Sequence, residues 1–273
     1  MHKRLLTAGN VSVLCIVDEV CGVTQLHDVV YIVCSTPSTI LRFNATTHEQ
    51  LADIVVKDMR VPLDIAGCER TSQLYIVDLI ECVWRVSSDC ADIKRWLPKS
   101  PSDTFIPWSL SVTATRLLVT SQRPVQLTQF DSDGDELRRV QLPDDMEPQH
   151  AVESPTGTFI VSHHNAQLKQ YQVVEVNTGG EVLRQFSGSP LLPLGFTEHI
   201  AIDSRGKVFA LDADNNRILL LDAHLSLRRV IIDDHQLNYK QCFCASENSQ
   251  DNCWLGTQAA SRCLMCFVVR VVR

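Results

Sequence analysis

The chain has 273 residues, of which 45% are hydrophobic and 21% are charged, and its formal net charge is −7. A chain of this length exceeds the usual single core unless structural repeats share that core. No apolar run approaches the roughly 20 residues that a membrane span needs, and the acidic balance disfavours nucleic-acid binding through charge alone. The eleven cysteines are an odd number, which is typical of reduced thiols in a cytoplasmic protein.

In chain order, the first predicted strand begins at Val11 and ends at Val17, and it has no pairing partner nearby in the sequence. Five repeats follow within residues 22–231, and the clearest is residues 199–231. There, predicted strands at 200–202, 208–211, 218–221 and 227–231 alternate with turns rich in Gly, Asp, Asn and Ser. A four-stranded unit of this kind has two open edges, so it requires neighbours.

Two positions of this unit recur through the chain at nearly constant spacing. In the second strand they are Tyr31, Tyr75, Leu118, Phe159 and Phe209, at intervals of 44, 43, 41 and 50 residues. At the end of the third strand they are Phe43, Val86, Phe130, Val176 and Leu221, at intervals of 43, 44, 46 and 45 residues. A period of about 45 residues with four strands per unit is the signature of a β-propeller.

The final residues, 241–273, form a sixth and degenerate repeat. The same spacing predicts strands near Cys244, Trp254 and Phe267, which leaves this repeat one strand short. The strand from Val11 to Val17 is the natural fourth, because pairing it with the tail would close the ring without an open edge. The sequence therefore predicts an all-β, six-bladed propeller of four-stranded antiparallel blades, forming one domain over residues 1–273.

The segment from His199 to Asp212, HIAIDSRGKVFALD, followed by Asn215, Asn216 and Arg217, resembles an NHL repeat. The second repeat, residues 64–78, matches in part, and the other repeats lack the Asn-Arg-Ile element. The resemblance implies a six-bladed propeller that binds partners, as in the C-terminal propellers of NHL proteins with RING, B-box and coiled-coil modules. By that analogy it also implies substrate recognition in ubiquitin-related pathways.

The residues that open each innermost strand are expected to surround the mouth of the central channel. They are Gly22, Asp64, Ser109, His150 and His199. Two histidines and one aspartate around one opening have the chemistry of a zinc site. The alternative is that His150 and His199 bond loop backbone, since three separate blades need not converge. We favour the alternative, and expect no metal and no cofactor.

Two other sequence patterns, an acidic loop and a group of cysteines, resemble metal-binding motifs. Residues 131–135, DSDGD, resemble the start of a calcium loop, but the same place in other repeats holds ordinary hairpin-turn residues. The tail cysteines, among them Cys242, Cys253 and Cys266, lack the two well-spaced pairs of structural zinc sites. We expect neither to bind metal.

The loops between second and third strands, predicted at 35–39, 79–82, 121–125, 162–167 and 212–216, vary while the strands keep their spacing. Such loops on a rigid scaffold carry binding specificity. Candidate binding residues in them are His163, His164, Asp214, Asn215 and Asn216, with the two histidines expected to be solvated.

These patterns predict a monomeric, non-catalytic scaffold that binds an unidentified protein and neither nucleic acid nor a membrane. The first alternative is a metal-dependent lyase or lactonase-type hydrolase with its site at the central channel, although the chain carries no nucleophile-elbow or phosphate-loop motif. The second alternative is RNA binding on basic fourth strands, for example at Arg138 and Arg139. The overall acidity disfavours it.

Overall fold

The computed structural model describes residues 5–8, 11–16, 20–34, 39–80, 82–98, 105–113, 116–232, 240–247, 252–259 and 264–270. Every regular element among these residues is a β-strand. In this described part of the chain, no helix exists that is long and apolar enough to span a bilayer.

The first strands along the chain are β1 (Leu5–Ala8), β2 (Val11–Ile16), β3 (Val20–Leu26), β4 (Val29–Cys34), β5 (Thr39–Asn44) and β6 (Ile54–Val55). The next are β7 (Pro62–Cys68), β8 (Gln73–Asp78), β9 (Cys82–Ser87), β10 (Ile93–Pro98), β11 (Ile106–Thr113), β12 (Arg116–Arg123), β13 (Val125–Phe130) and β14 (Glu136–Gln141). They are followed by β15 (Met146–Glu153), β16 (Phe159–Asn165), β17 (Gln170–Val176), β18 (Val182–Phe186), β19 (Gly188–Ser189) and β20 (Leu192–Pro193). The last are β21 (Ile200–Ile202), β22 (Val208–Asp212), β23 (Arg217–Leu221), β24 (Leu227–Ile232), β25 (Lys240–Glu247), β26 (Asn252–Ala259) and β27 (Leu264–Arg270).

The strands form a closed ring of antiparallel sheets. Blades one to five are the four-stranded sheets β3–β6, β7–β10, β11–β14, β15–β18 and β21–β24, and β19 and β20 form a small ribbon between blades four and five. The closing blade has the order β25-β26-β27-β2-β1. Each innermost strand contacts the next, and β25 contacts both β21 and β3. The predicted fold class is therefore confirmed.

The closing blade joins the two ends of the chain. Strand β2 pairs with β27 through Val13 opposite Phe267, as the sequence predicted, and β1 adds an unpredicted fifth strand outside β2. The backbone amides of β27 thus find partners on both sides, which removes an open edge from the ring. The domain boundaries themselves stay a prediction.

Hydrophobic side chains lie between neighbouring blades rather than inside each sheet. In β8 every residue from Leu74 to Asp78 is buried, whereas most of the outermost strand β14 is exposed. Trp96 of blade two contacts Tyr75 edge-on, with ring centroids 4.9 Å apart, and it contacts Phe130 of blade three at 5.7 Å. Such apolar contacts between sheets are what hold neighbouring blades together.

The register of the strands confirms one of the two spacings and corrects the other. Val86, Val176 and Leu221 pair with Leu74, Phe159 and Val208, so the third-strand positions are equivalent. The predicted equivalence of Phe159 with Tyr75 and Phe209 is wrong by one residue, and the equivalent residue is Ile160. Because neighbouring strand residues point to opposite faces, Phe159 packs towards blade three and Ile160 towards blade five.

The polar turns between third and fourth strands follow the sequence prediction. Asp131 Oδ1 accepts hydrogen bonds from the backbone amides of Asp133, Gly134 and Asp135. Asp222 Oδ1 holds the turn of blade five in the same way. The carboxylate of the calcium-like motif is therefore used to shape a hairpin turn.

Candidate functional sites

The five residues expected at the channel mouth occupy one structural position in their blades. Asp64, Ser109 and His150 each follow a one-residue register shift in their innermost strand, as does Gly22. His199 takes the corresponding position in blade five, where its carbonyl accepts a hydrogen bond from the Leu211 amide. Such bulges redirect a side chain out of the regular pleat. These five residues are called the mouth ring below.

The structure brings three members of the mouth ring into one cluster. One ligand atom from each of Asp64, His150 and His199 lies within 4.8 Å of those of the other two. His150 Nε2 is 3.8 Å from Asp64 Oδ2, and the two imidazole ring centroids are 4.9 Å apart. All three side chains are buried. The concern that three separate blades need not converge is thus answered by the geometry, while the binding role of these residues stays a prediction.

The carboxylate of Asp64 is held by backbone amides from two blades. The amide of Ile65 donates to Oδ1 at 2.8 Å, and that of Leu110 donates to Oδ2 at 2.9 Å. Burial nevertheless raises the pKa of Asp64 to about 7, because these two bonds only partly replace lost hydration.

Burial acts in the opposite direction on the two imidazoles. It lowers the pKa of His150 to about 4. The pKa of His199 lies well below its usual value, because of burial and the neighbouring His150. Both rings are therefore neutral near pH 7, and they offer nitrogen lone pairs rather than positive charge to Asp64.

The two remaining members of the mouth ring are a serine with a buried hydroxyl and a glycine with no side chain. The hydroxyl of Ser109 is buried without a hydrogen-bonding partner among the described residues, as is Nδ1 of His150. A Cβ on Gly22 would lie 2.7 Å from the backbone nitrogen of Ile65. Blade one therefore contributes no side chain to the ring, because blade two packs directly against it.

Below the mouth ring, a cavity of about 680 Å³ follows the channel. Its lining includes Asp64 and His150 at the mouth, Thr113 at the far end of β11, and Arg70 in the turn that follows β7. This volume lies within the range of small-molecule pockets, about 300–1,000 Å³.

The prediction that His163 lies in a solvated loop is wrong. Strand β16 continues to Asn165, and His163 is 0% exposed, with neither ring nitrogen bonded to a described residue. Burial lowers its pKa. In blade two the same register position holds Asp78, whose carboxylate accepts bonds from the amides of Arg60 and Ile80. The sequence offered a signal for this, since only one small residue, Ser162, separates His163 from the apolar run that ends at Val161.

The predicted binding residues of blade five mostly stabilise the loop in front of them. Asp214 accepts a hydrogen bond from the Phe196 amide at 2.8 Å, and Asn215 donates to Asp212 at 2.7 Å. Asn216 has a positive φ of 47°. Arg217, which completes this arrangement, forms an ion pair with Asp212 and bonds the Pro193 carbonyl.

A strip of aromatic rings crosses from blade four to blade five on this face. The ring of Tyr171 lies 5.0 Å from His164 and 5.4 Å from Phe196, between centroids. His164 Nδ1 is 2.9 Å from a carboxylate oxygen of Glu147. Burial raises the pKa of Tyr171, and the nearby Asp214 and Glu147 raise it further. These five residues are called the acid–aromatic strip.

An exposed leucine stands on the segment that carries Phe196. Leu191, at the turn of the β19–β20 ribbon, is 96% exposed. The ribbon is well anchored, because the Leu192 amide donates to Ser189 Oγ at 3.1 Å and Arg217 bonds the Pro193 carbonyl. Tyr171, Phe196 and Leu191 were not among the residues predicted from the sequence, although two adjacent leucines in a Gly- and Pro-rich turn were a usable signal.

Comparison with solved structures shows the fold. The chain is similar to XC5397, a gluconolactonase from Xanthomonas campestris, with a TM-score of 0.70 and 12% identity over 97% of this chain and 94% of that chain. It is also similar to a catalytically inactive virginiamycin B lyase from Staphylococcus aureus, with a TM-score of 0.64 and 12% identity over 92% of this chain and 80% of that chain. The WD40 β-propeller domain of Doa1 gives a TM-score of 0.63 and 13% identity over 92% of this chain and 93% of that chain.

No family model matches the sequence, and no curated protein matches it. The NHL resemblance therefore gains no support beyond the fold and stays a prediction. Structural likeness at such low identity carries no activity with it. What these comparisons confirm is that the chain is a β-propeller.

Proposed function

We propose that the protein is a recognition propeller that binds a protein partner on the face shared by blades four and five. The observation that carries this proposal is Leu191, a large apolar side chain that is 96% exposed on an anchored ribbon. An apolar side chain that a well-bonded segment holds in water adds no hydrophobic stabilisation to the fold. In a complex, the same side chain can fill a pocket of the partner and contribute to binding.

The neighbouring side chains define the chemistry of that partner. Glu147 and Asp214 flank the half-buried ring of Tyr171. Carboxylates beside aromatic rings favour cationic side chains through charge and cation–π attraction. The partner segment therefore carries lysine or arginine next to large apolar residues. Recognition of substrates for ubiquitin transfer is the cellular setting that the NHL resemblance adds to this proposal.

The same charges disfavour the RNA alternative. The acid–aromatic strip presents Glu147 and Asp214, which would repel phosphates. Arg138 and Arg139 lie on β14, the outermost strand of blade three, and Arg139 is already paired with Glu136.

Selection of a random peptide library against the purified full chain tests the proposal. Peptides rich in basic and apolar residues should be enriched. Their affinity should fall about tenfold or more when Leu191→Ser is combined with Glu147→Lys, since loss of one interface anchor is worth over 1 kcal/mol.

The matched control combines Leu137→Ser with Asp135→Lys, which again replaces one leucine by serine and one acidic residue by lysine, at exposed positions of blade three. This variant should bind the selected peptides as the unmodified protein does. Peptides that lose binding equally in both variants, or in neither, would contradict recognition at this face.

A further inference from the structure

We infer that the mouth ring binds one divalent first-row metal ion, zinc or iron(II), through Asp64, His150 and His199. The inference does not depend on the proposed protein recognition. Nothing in the acid–aromatic strip contributes to the metal site, and the three ligands come from innermost strands of blades two, four and five.

The donor set and its spacing carry the inference. Two imidazoles with one carboxylate suit zinc and iron(II), whereas calcium and magnesium prefer oxygen donors throughout. At zinc–ligand distances of about 2.1 Å, two tetrahedral ligands lie about 3.4 Å apart. The observed separation of His150 Nε2 from Asp64 Oδ2 is 3.8 Å, and no separation in the set exceeds 4.8 Å. Small side-chain rotations therefore close the site.

Charge balance gives an independent reason for a cation. Asp64 is buried, and among the described side chains the only titratable base within 4 Å of its carboxylate is His150, which is itself buried. An isolated ionised carboxylate is costly in such surroundings unless a cation or a proton accompanies it. A metal ion would supply that charge, and the neutral imidazoles of His150 and His199 would donate nitrogen lone pairs to it.

The surroundings suit a site that exchanges ligands. The amides of Ile65 and Leu110 orient the carboxylate of Asp64, as second-shell donors do in metal sites. Three protein ligands leave at least one coordination position open, and two of these ligands, Asp64 and His150, line the cavity of about 680 Å³. That position would take water or a small molecule with an oxygen donor.

Metal content measured on the full chain tests this inference. The purified protein is loaded with zinc, and in a parallel anaerobic sample with iron(II), then desalted and analysed by elemental mass spectrometry. One ion per chain is expected. Combined His150→Ala and His199→Ala substitution should reduce the content to near zero. The matched control is His163→Ala, which removes another buried histidine from blade four and should leave the content unchanged.

A content near zero in the unmodified protein would overturn the inference, as would a content that survives the double substitution or disappears in the control. Cobalt(II) loading of the unmodified protein keeps the test decisive if a variant does not fold. Ligand-field bands without thiolate-to-cobalt charge transfer are expected from nitrogen and oxygen donors. Charge transfer alone would place the ion on cysteines and overturn the assignment.

Discussion

Replacing Asp64 by asparagine isolates the free energy of burying an ionised carboxylate at the channel mouth. The folded-state pKa is about 7, against 3.8 for the free side chain. Because the folded pKa is raised, the contribution of Asp64 to stability is fully present below pH 4 and is lost as the pH rises towards 7. The full difference corresponds to about 4 kcal/mol, and more than half of it develops between pH 5 and pH 8.

Asparagine has the same shape but does not titrate, so this pH dependence should vanish. It has one carbonyl oxygen in place of two carboxylate oxygens, so one of the amides of Ile65 and Leu110 loses its acceptor, at a cost of about 1–3 kcal/mol. In the presence of EDTA, Asp64→Asn should therefore be less stable than the unmodified protein at pH 5. At pH 8 it should be equally stable or more stable.

Urea unfolding followed by tryptophan fluorescence at the two pH values measures this difference. Comparing the two proteins at each pH cancels the titration of His150 and His199. The control is Asp133→Asn, at an exposed carboxylate. If the free energies of unfolding of Asp64→Asn and the unmodified protein keep a constant difference from pH 5 to pH 8, the reasoning about a dry, uncompensated carboxylate is refuted.

Two further predictions concern His163 and Gly22. Burial lowers the pKa of His163, so its neutral form stabilises the fold above pH 6.5 and this contribution is lost on acidification, by up to about 1.4 kcal/mol per pH unit. His163→Ser should flatten the decline in unfolding free energy between pH 6.5 and pH 5, whereas His224→Ser, at an exposed turn, should not; equal slopes would argue against the burial of His163. Gly22→Ala should lower the free energy of unfolding by about 1–3 kcal/mol, because its Cβ would lie 2.7 Å from the Ile65 nitrogen. Gly179→Ala, whose Cβ would meet only the Asn177 side chain, should cost less in the same urea titration, and the reverse order would contradict the close approach of blades one and two.

Much of the fold could be predicted from the sequence, because the same pattern of strands and turns recurs in each repeat. Turn residues such as Asp131 and Asp222 mark the hairpin between the third and fourth strands of a blade. The residues just before these turns, Phe130 and Leu221, occupy equivalent positions in their blades. The same counting located the mouth ring and the pairing of β2 with β27. It failed at Phe159, where an aromatic residue lies one position away from the expected one, and a shift of one residue reverses the face of a strand.

The sequence by itself thus determined most of the blade strands, their order and the ring position of each mouth residue. Only the tertiary structure decided which of those residues meet. Asp64 and His150 are 86 positions apart, and His150 and His199 are 49 apart. Their separations depend on how the blades pack around the channel, which no local pattern encodes. The burial of His163 and the exposure of Leu191 were decided in the same way, since each depends on contacts between elements that are distant in the sequence.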